Sequence, residues 1–109
     1  PRYGNWGGLD LSGGQEIRKG EIGPLNVAPQ DSMDLLFKKH DISSYEANKQ
    51  RNRKRRYQAD IDLYYGLIGL QEDLRYWEIP APDIEKARRY REDAEWWFGD
   101  VVGARRNIS

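Results

Sequence analysis

Two consecutive helical stretches of this chain each carry a polar residue in the middle of an apolar stripe, and that limits how they can fold. Over residues 31–50, Met33, Leu36, Phe37, His40, Ser44 and Ala47 recur at helical spacing. Over residues 57–77 the stripe is Asp60, Leu63, Tyr64, Leu67, Gln71 and Leu74. A carboxylate on a core-facing stripe is costly unless it is paired. His40, the only histidine in the chain, is its obvious partner. The short connection between the stretches predicts antiparallel neighbours. The heights of His40 and Asp60 match if several residues of that connection are turn. Asp60 would then fix the imidazole tautomer and leave the other ring nitrogen as a base. The plainer reading makes His40 a satisfied core histidine.

The remaining elements follow from caps and breaks. Asp31, after Pro29, is a good N-cap for the first helix. Pro80 and Pro82 end the second, and a third helix is expected over residues 82–102. Its inward face would be Ile84, Ala87, Arg91, Ala94, Trp97 or Phe98, and Val101. Residues 1–30 are rich in Gly, Pro and Asn, yet Tyr3, Trp6, Leu9, Leu11, Ile17 and Ile22 can anchor them as ordered loop. The expected fold is therefore all-α: one domain over residues 1–109, with a Gly-rich loop, two long antiparallel helices and a third C-terminal helix. A chain this short builds a thin core, which four Trp, seven Tyr and two Phe help to fill.

Composition narrows the function classes. There are no cysteines, so disulfides and thiolate metal sites are excluded. The chain suits a reducing compartment or is indifferent to redox state. The formal net charge is zero, so whole-chain electrostatics select no partner. No run is long and apolar enough to span a membrane, and no secretory leader is evident. A start at Pro1 rather than Met leads to the expectation that a leader or larger parent protein has been removed. The one charge block is "KQRNRKRR", residues 49–56, with six basic residues in eight. Cations favour a helix C-terminus, so it reads first as the solvated end of the first helix plus a turn. Contact with anionic lipid comes next, and nucleic acid after that.

Asp41 follows His40 directly and, at about 100° per residue, points beside it rather than over it. A glycine-rich loop such as "NWGGLD", residues 5–10, offers backbone carbonyls. With the Asp41 carboxylate these could complete an oxygen cage for Ca²⁺, which takes about six to eight oxygen ligands.

These residues resemble the secreted phospholipase A2 superfamily. "PQDSMDLLFKKHD", residues 29–41, is similar to its active-site helix, with Asp31, Asp34, His40 and Asp41 in register. Trp6, Gly7, Gly8, Leu9 and Asp10 take the places of its calcium loop, and "ADIDLYY", residues 59–65, looks like the start of its second long helix. The nearest subgroup is the compact, cysteine-poor set found in viral capsid proteins and in bacterial or phage reading frames. That implies a secreted, effector or virion-associated setting, or membership of a larger viral or phage protein.

The resemblance implies calcium-dependent hydrolysis of the sn-2 ester of phospholipids at a membrane surface. His40 would be the general base, Asp60 the residue that orients it, and the Gly8 N–H an oxyanion donor. Ca²⁺ would be held by the Asp41 carboxylate and the carbonyls of Trp6, Gly8 and Asp10. Asp31 would cap the helix, and Asp34 would tie down the loop or the helix start. Trp6, Leu9, Arg53, Lys54, Arg55 and Arg56 would meet lipid. The chain departs from the pattern at several places. Gly7, Leu36 and Phe37 replace cysteines, Asp10 replaces the third loop glycine, and Ser44 replaces a tyrosine, with Tyr45 one residue later. Asp10 and Ser44 favour an alternative, a non-catalytic relative that binds membrane or protein. A further alternative is a small helical interaction domain that contacts nucleic acid through residues 49–56; within the resemblance, nucleic acid is not the expected partner.

Overall fold

A computed structural model describes residues 1–103; the final residues of the expected domain, 104–109, lie outside the described residues. The described residues are mostly helical, with three α-helices among them: α1 (Ser32–Lys49), α2 (Arg53–Gly69) and α3 (Ile84–Val101). A short 3-10 turn, Leu74–Tyr76, lies between α2 and α3. Before α1 stands a small antiparallel hairpin of β1 (Leu11–Ser12) and β2 (Gln15–Glu16).

Each helix begins where a side chain can satisfy a free amide. Asp31 accepts from the Asp34 N–H at 2.7 Å, Asn52 from the Arg55 N–H at 3.1 Å, and Asp83 from the Lys86 N–H at 3.1 Å. The expected boundaries of α2 shift accordingly. It starts at Arg53 rather than Tyr57, because Asn52 caps it there, and ends at Gly69 rather than Trp77. The basic run therefore finishes α1 only through Lys49, with Arg51 in the turn. Arg53, Lys54, Arg55 and Arg56 form the first turn of α2, at the end of a helix that disfavours cations. Between the helices, Gln50, Arg51 and Asn52 form the turn, with Arg51 at φ +50°. α3 starts at Ile84 rather than residue 82 for the same reason, Asp83 being its cap.

The hairpin was expected as loop. Its turn is Gly13–Gly14, at φ +59° and +76°, the pair of left-handed conformations that matches strand twist.

The core gathers Tyr3 and Trp6 from the N-terminal loop, Met33 and Phe37 from α1, Leu63 and Leu67 from α2, and Ala87 and Ala94 from α3. Leu74 and Trp77 close it from the α2–α3 connection. Phe98, not Trp97, takes the inward place on α3: Phe98 packs against the core while Trp97 is exposed. Ile84 and Val101 also stand exposed, at the two ends of the helix. Arg91 does face inward. Its guanidinium donates to the carbonyls of Leu67, Leu70 and Gln71, closing the C-terminal end of α2.

Candidate functional site

The site is assembled along one face of α1. Asp34 and Asp41 are seven residues apart, about two turns, so they project from the same side. Asp34 is fully buried and accepts three backbone N–H bonds, from Trp6 at 2.9 Å, Asn5 at 3.0 Å and Gln30 at 2.9 Å. Burial pushes its carboxyl up from the ordinary value, and the three amides pull against that. Asp31 caps α1 and also accepts the Tyr3 hydroxyl, which burial and this carboxylate both push up. The two carboxylates thus hold the loop before the hairpin against the start of α1, as the sequence led one to expect. Gly4 makes room for this: at φ +56°, a Cβ there would stand 2.6 Å from the Asp34 carboxylate.

Further along the same face, Asp41 meets the hairpin. The Ser12 hydroxyl interacts with its carboxylate and lowers its pKa. Ser12 is itself fully buried and accepts from the Gly23 N–H at 3.0 Å. Desolvation dominates, however, and pushes Asp41 up to about 7. Its Oδ2 is buried and has no hydrogen-bond partner among the described residues. Such an oxygen fits a cation ligand, since a buried carboxylate otherwise finds a partner. No set of three or more His, Asp or Glu side chains that could hold a metal forms among the described residues. A cation here would therefore rely on Asp41 with backbone carbonyls.

The loop between these anchors has a definite set of internal bonds. The carbonyls of Asn5, Gly7 and Asp10 accept from Gly14, Tyr3 and Ile17 at 2.8, 2.8 and 2.9 Å. Gly8 stands at φ +130°, which a side chain rarely adopts. The Asp10 side chain is exposed and bound by Arg2 at 2.6 Å, which holds its carboxyl below the usual range. Leu9 is 94% exposed, so it does not anchor the loop. Trp6 is the reverse. It is 1% exposed and its indole N–H donates to the Val27 carbonyl at 3.1 Å, with the Lys38 ammonium over its ring at 5.2 Å. A ring held this way is core, not a lipid-facing surface, which corrects its place in the expected interface.

Across the helix pair, His40 Nε2 lies 2.7 Å from Asp60 Oδ1. The side chains are 19% and 21% exposed, so the pair is partly shielded from water. The contact engages Nε2 and leaves Nδ1 as the second ring nitrogen. Ser44 Oγ approaches Nε2 at 3.4 Å from one turn further along α1. Phe98 of α3 meets the imidazole edge-to-face at 5.3 Å between centroids. Tyr45 turns away and packs its ring under the Lys49 ammonium at 5.4 Å. Ser12 and Phe98 were not singled out as site residues from the sequence. The Gly-Gly pair after Ser12 is a hairpin signal that would have located the first; Phe98 was one of two candidates for a single inward position.

No protein-family model, no curated protein and no solved structure matches the chain.

Asp41 gives a stability prediction with a definite sign. An unfolded Asp titrates near 3.9, and the folded one near 7. Between those values the folded state holds a proton that the unfolded chain has lost. Stability from this group is therefore complete at low pH and falls as pH rises through that window. Asp41→Asn removes the fall. In calcium-free buffer, the melting temperature of the wild type relative to Asp41→Asn should drop between about pH 4 and pH 7 and level off above it. Parallel pH profiles for the two proteins would contradict the buried-carboxyl assignment.

Proposed function

We propose that this protein is a calcium-dependent phospholipase A2-type hydrolase acting on the sn-2 ester of phospholipids. The observation that carries the reading is the His40–Asp60 pair at 2.7 Å, with the unpartnered Asp41 oxygen on the residue next to the histidine. A paired imidazole alone is common. A paired imidazole beside a buried carboxylate oxygen that lacks any donor is the arrangement a metal-assisted hydrolase needs.

In this reading His40 Nδ1 takes the proton of the attacking water while Nε2–H remains on the Asp60 carboxylate. Asp60 fixes the tautomer and stabilises the imidazolium as it forms. The Asp41 carboxylate and the carbonyls of Trp6 and Gly8 would hold Ca²⁺. The Asp10 carbonyl, which also accepts from Ile17, would complete that set through its second lone pair, while the Asp10 carboxylate is held by Arg2. Bound there, the ion supplies Lewis-acid polarisation of the ester carbonyl. The Gly8 N–H donates to the developing oxyanion. Phe98 packs against the imidazole ring, and Ser44 stands beside Asp60 at Nε2. Protonated His40 then returns its proton to the departing lyso-phospholipid alcohol.

A second reading, a non-catalytic relative, is favoured by the engagement of Asp10 and by Ser44 standing in place of a tyrosine. Calcium separates the two. Millimolar Ca²⁺ should raise the melting temperature of the wild type by mass action and leave Asp41→Asn unmoved. An identical absence of response in both proteins would favour the non-enzyme.

A further inference from the structure

The segment Gly8–Asp10 carries two of the carbonyls assigned to the cation, yet little within it resists movement. Leu9 is 94% exposed, so it adds no packing. Gly8 has no side chain, and its φ of +130° is one of many conformations open to glycine. Backbone pairing holds the two ends: Gly7 exchanges both bonds with Tyr3 at 2.8 Å, and the Asp10 carbonyl accepts from Ile17 at 2.9 Å. With no cysteine in the chain, no disulfide can tie the segment.

Arg2 spans it from outside. Its Nε donates to Asp10 Oδ1 at 3.1 Å and its Nη2 to Asp10 Oδ2 at 2.6 Å, a two-pronged fork onto one carboxylate. The same Nη2 donates to Glu16 Oε1 at 3.0 Å. Glu16 pairs with Leu11 in the hairpin, so one guanidinium joins the exit of the loop to the second strand. The Arg2 stem runs beside Gly8: a Cβ on Gly8 would stand 3.3 Å from Arg2 Cγ and 3.1 Å from the Pro1 carbonyl oxygen. The far end of this clamp is fixed as well, because Tyr3 is buried and donates to Asp31. Arg2, Asp10 and Glu16 are 40%, 60% and 79% exposed. Ion pairs this exposed add little to stability. What a fork adds is orientation, since both prongs are met together only in a planar, bidentate geometry.

We propose that Arg2 is a positioning residue for the cation loop, holding Gly8–Asp10 in place before a cation arrives so that the Gly8 and Asp10 carbonyls are presented together with Asp41. It rests on the calcium reading of that site for its purpose. A loop ordered in advance loses less freedom when it binds, and that gain appears as affinity.

Charge alone predicts the opposite sign, which makes the test decisive. Removing a cation beside a calcium site relieves repulsion and would tighten binding; removing a clamp loosens it. Arg2→Gln, Asp10→Asn and the double variant are compared with wild type as full chains. Calcium affinity is read by titration calorimetry with CaCl₂, and loop order by amide exchange in EGTA. Arg2→Gln should weaken calcium binding about tenfold, the scale of a lost supporting contact at a metal site. The Gly8, Leu9 and Asp10 amides should exchange several-fold faster, with a melting temperature in EGTA within a few degrees of wild type. The double variant should be no worse than the weaker single one, because both lose the same link. Unchanged exchange at Gly8–Asp10, calcium binding that is unchanged or tighter in Arg2→Gln, or losses that add in the double variant would each overturn the positioning role. If the wild type takes up no calcium while loop exchange still follows Arg2, the clamp stands and the calcium reading alone fails.

Discussion

His40→Gln should abolish calcium-dependent fatty-acid release while the protein stays folded. A positioned general base contributes about two to four orders of magnitude, and glutamine cannot accept and return a proton at neutral pH. The structural change is small. Gln is close in length to His and can still donate to Asp60, and the position is 19% exposed, so no buried charge is stranded. Turnover measured on mixed vesicles should fall by about a hundredfold or more, with a melting temperature within a few degrees of wild type. Retained turnover would remove His40 from the chemistry. A loss of both turnover and fold would leave the histidine with a structural role only.

Asp34→Ala should be the most damaging single change to the fold. Three backbone N–H groups, of Asn5, Trp6 and Gln30, converge on this one buried carboxylate. Removing it leaves buried donors unpaired, each at about 1–3 kcal/mol, although the desolvation of the carboxylate itself is relieved. A net loss of about 3 kcal/mol or more is expected. In a domain of this size that corresponds to a fall in melting temperature of more than about 10 °C. The N-terminal loop should loosen first, read as earlier exchange of the Asn5 and Trp6 amides. Stability unchanged within about 0.5 kcal/mol, the range of ordinary surface substitutions, would show that the loop is held by something other than Asp34.

Much of this arrangement was legible in the chain because polar residues in apolar stripes leave few options. His40 and Asp60 had to meet or be stranded, and they meet at 2.7 Å. Asp31 as a cap was equally legible, since an Asp before a helix has one common use, whereas Asp34, inside the first turn of α1, reads as a tie for the loop or the helix start only through the resemblance. Three features escaped. The sequence places the start of α2 too late because four consecutive cations look like a helix C-terminus; the Asn52 cap overrides that preference. The hairpin reads as loop in the sequence because its strands hold two residues each, too few to show alternation. Trp6 reads both as an anchor of the loop and, through the resemblance, as a lipid contact; it is the anchor. Its burial depends on an indole bond to Val27, a contact between segments that no local pattern reveals. The choice between Trp97 and Phe98 lay below the resolution of a 3.6-residue period, since adjacent residues straddle the same groove.

The most direct test of the account is positional hydrolysis. Vesicles of a phospholipid with different acyl chains at sn-1 and sn-2 are incubated with the protein in millimolar Ca²⁺ or in EGTA, and the released fatty acids are identified by mass. The account predicts release of the sn-2 chain alone, only in calcium, leaving a lyso-phospholipid that keeps its sn-1 chain. Release of both chains, release that persists in EGTA, or no release in calcium from vesicles to which the protein binds would contradict it.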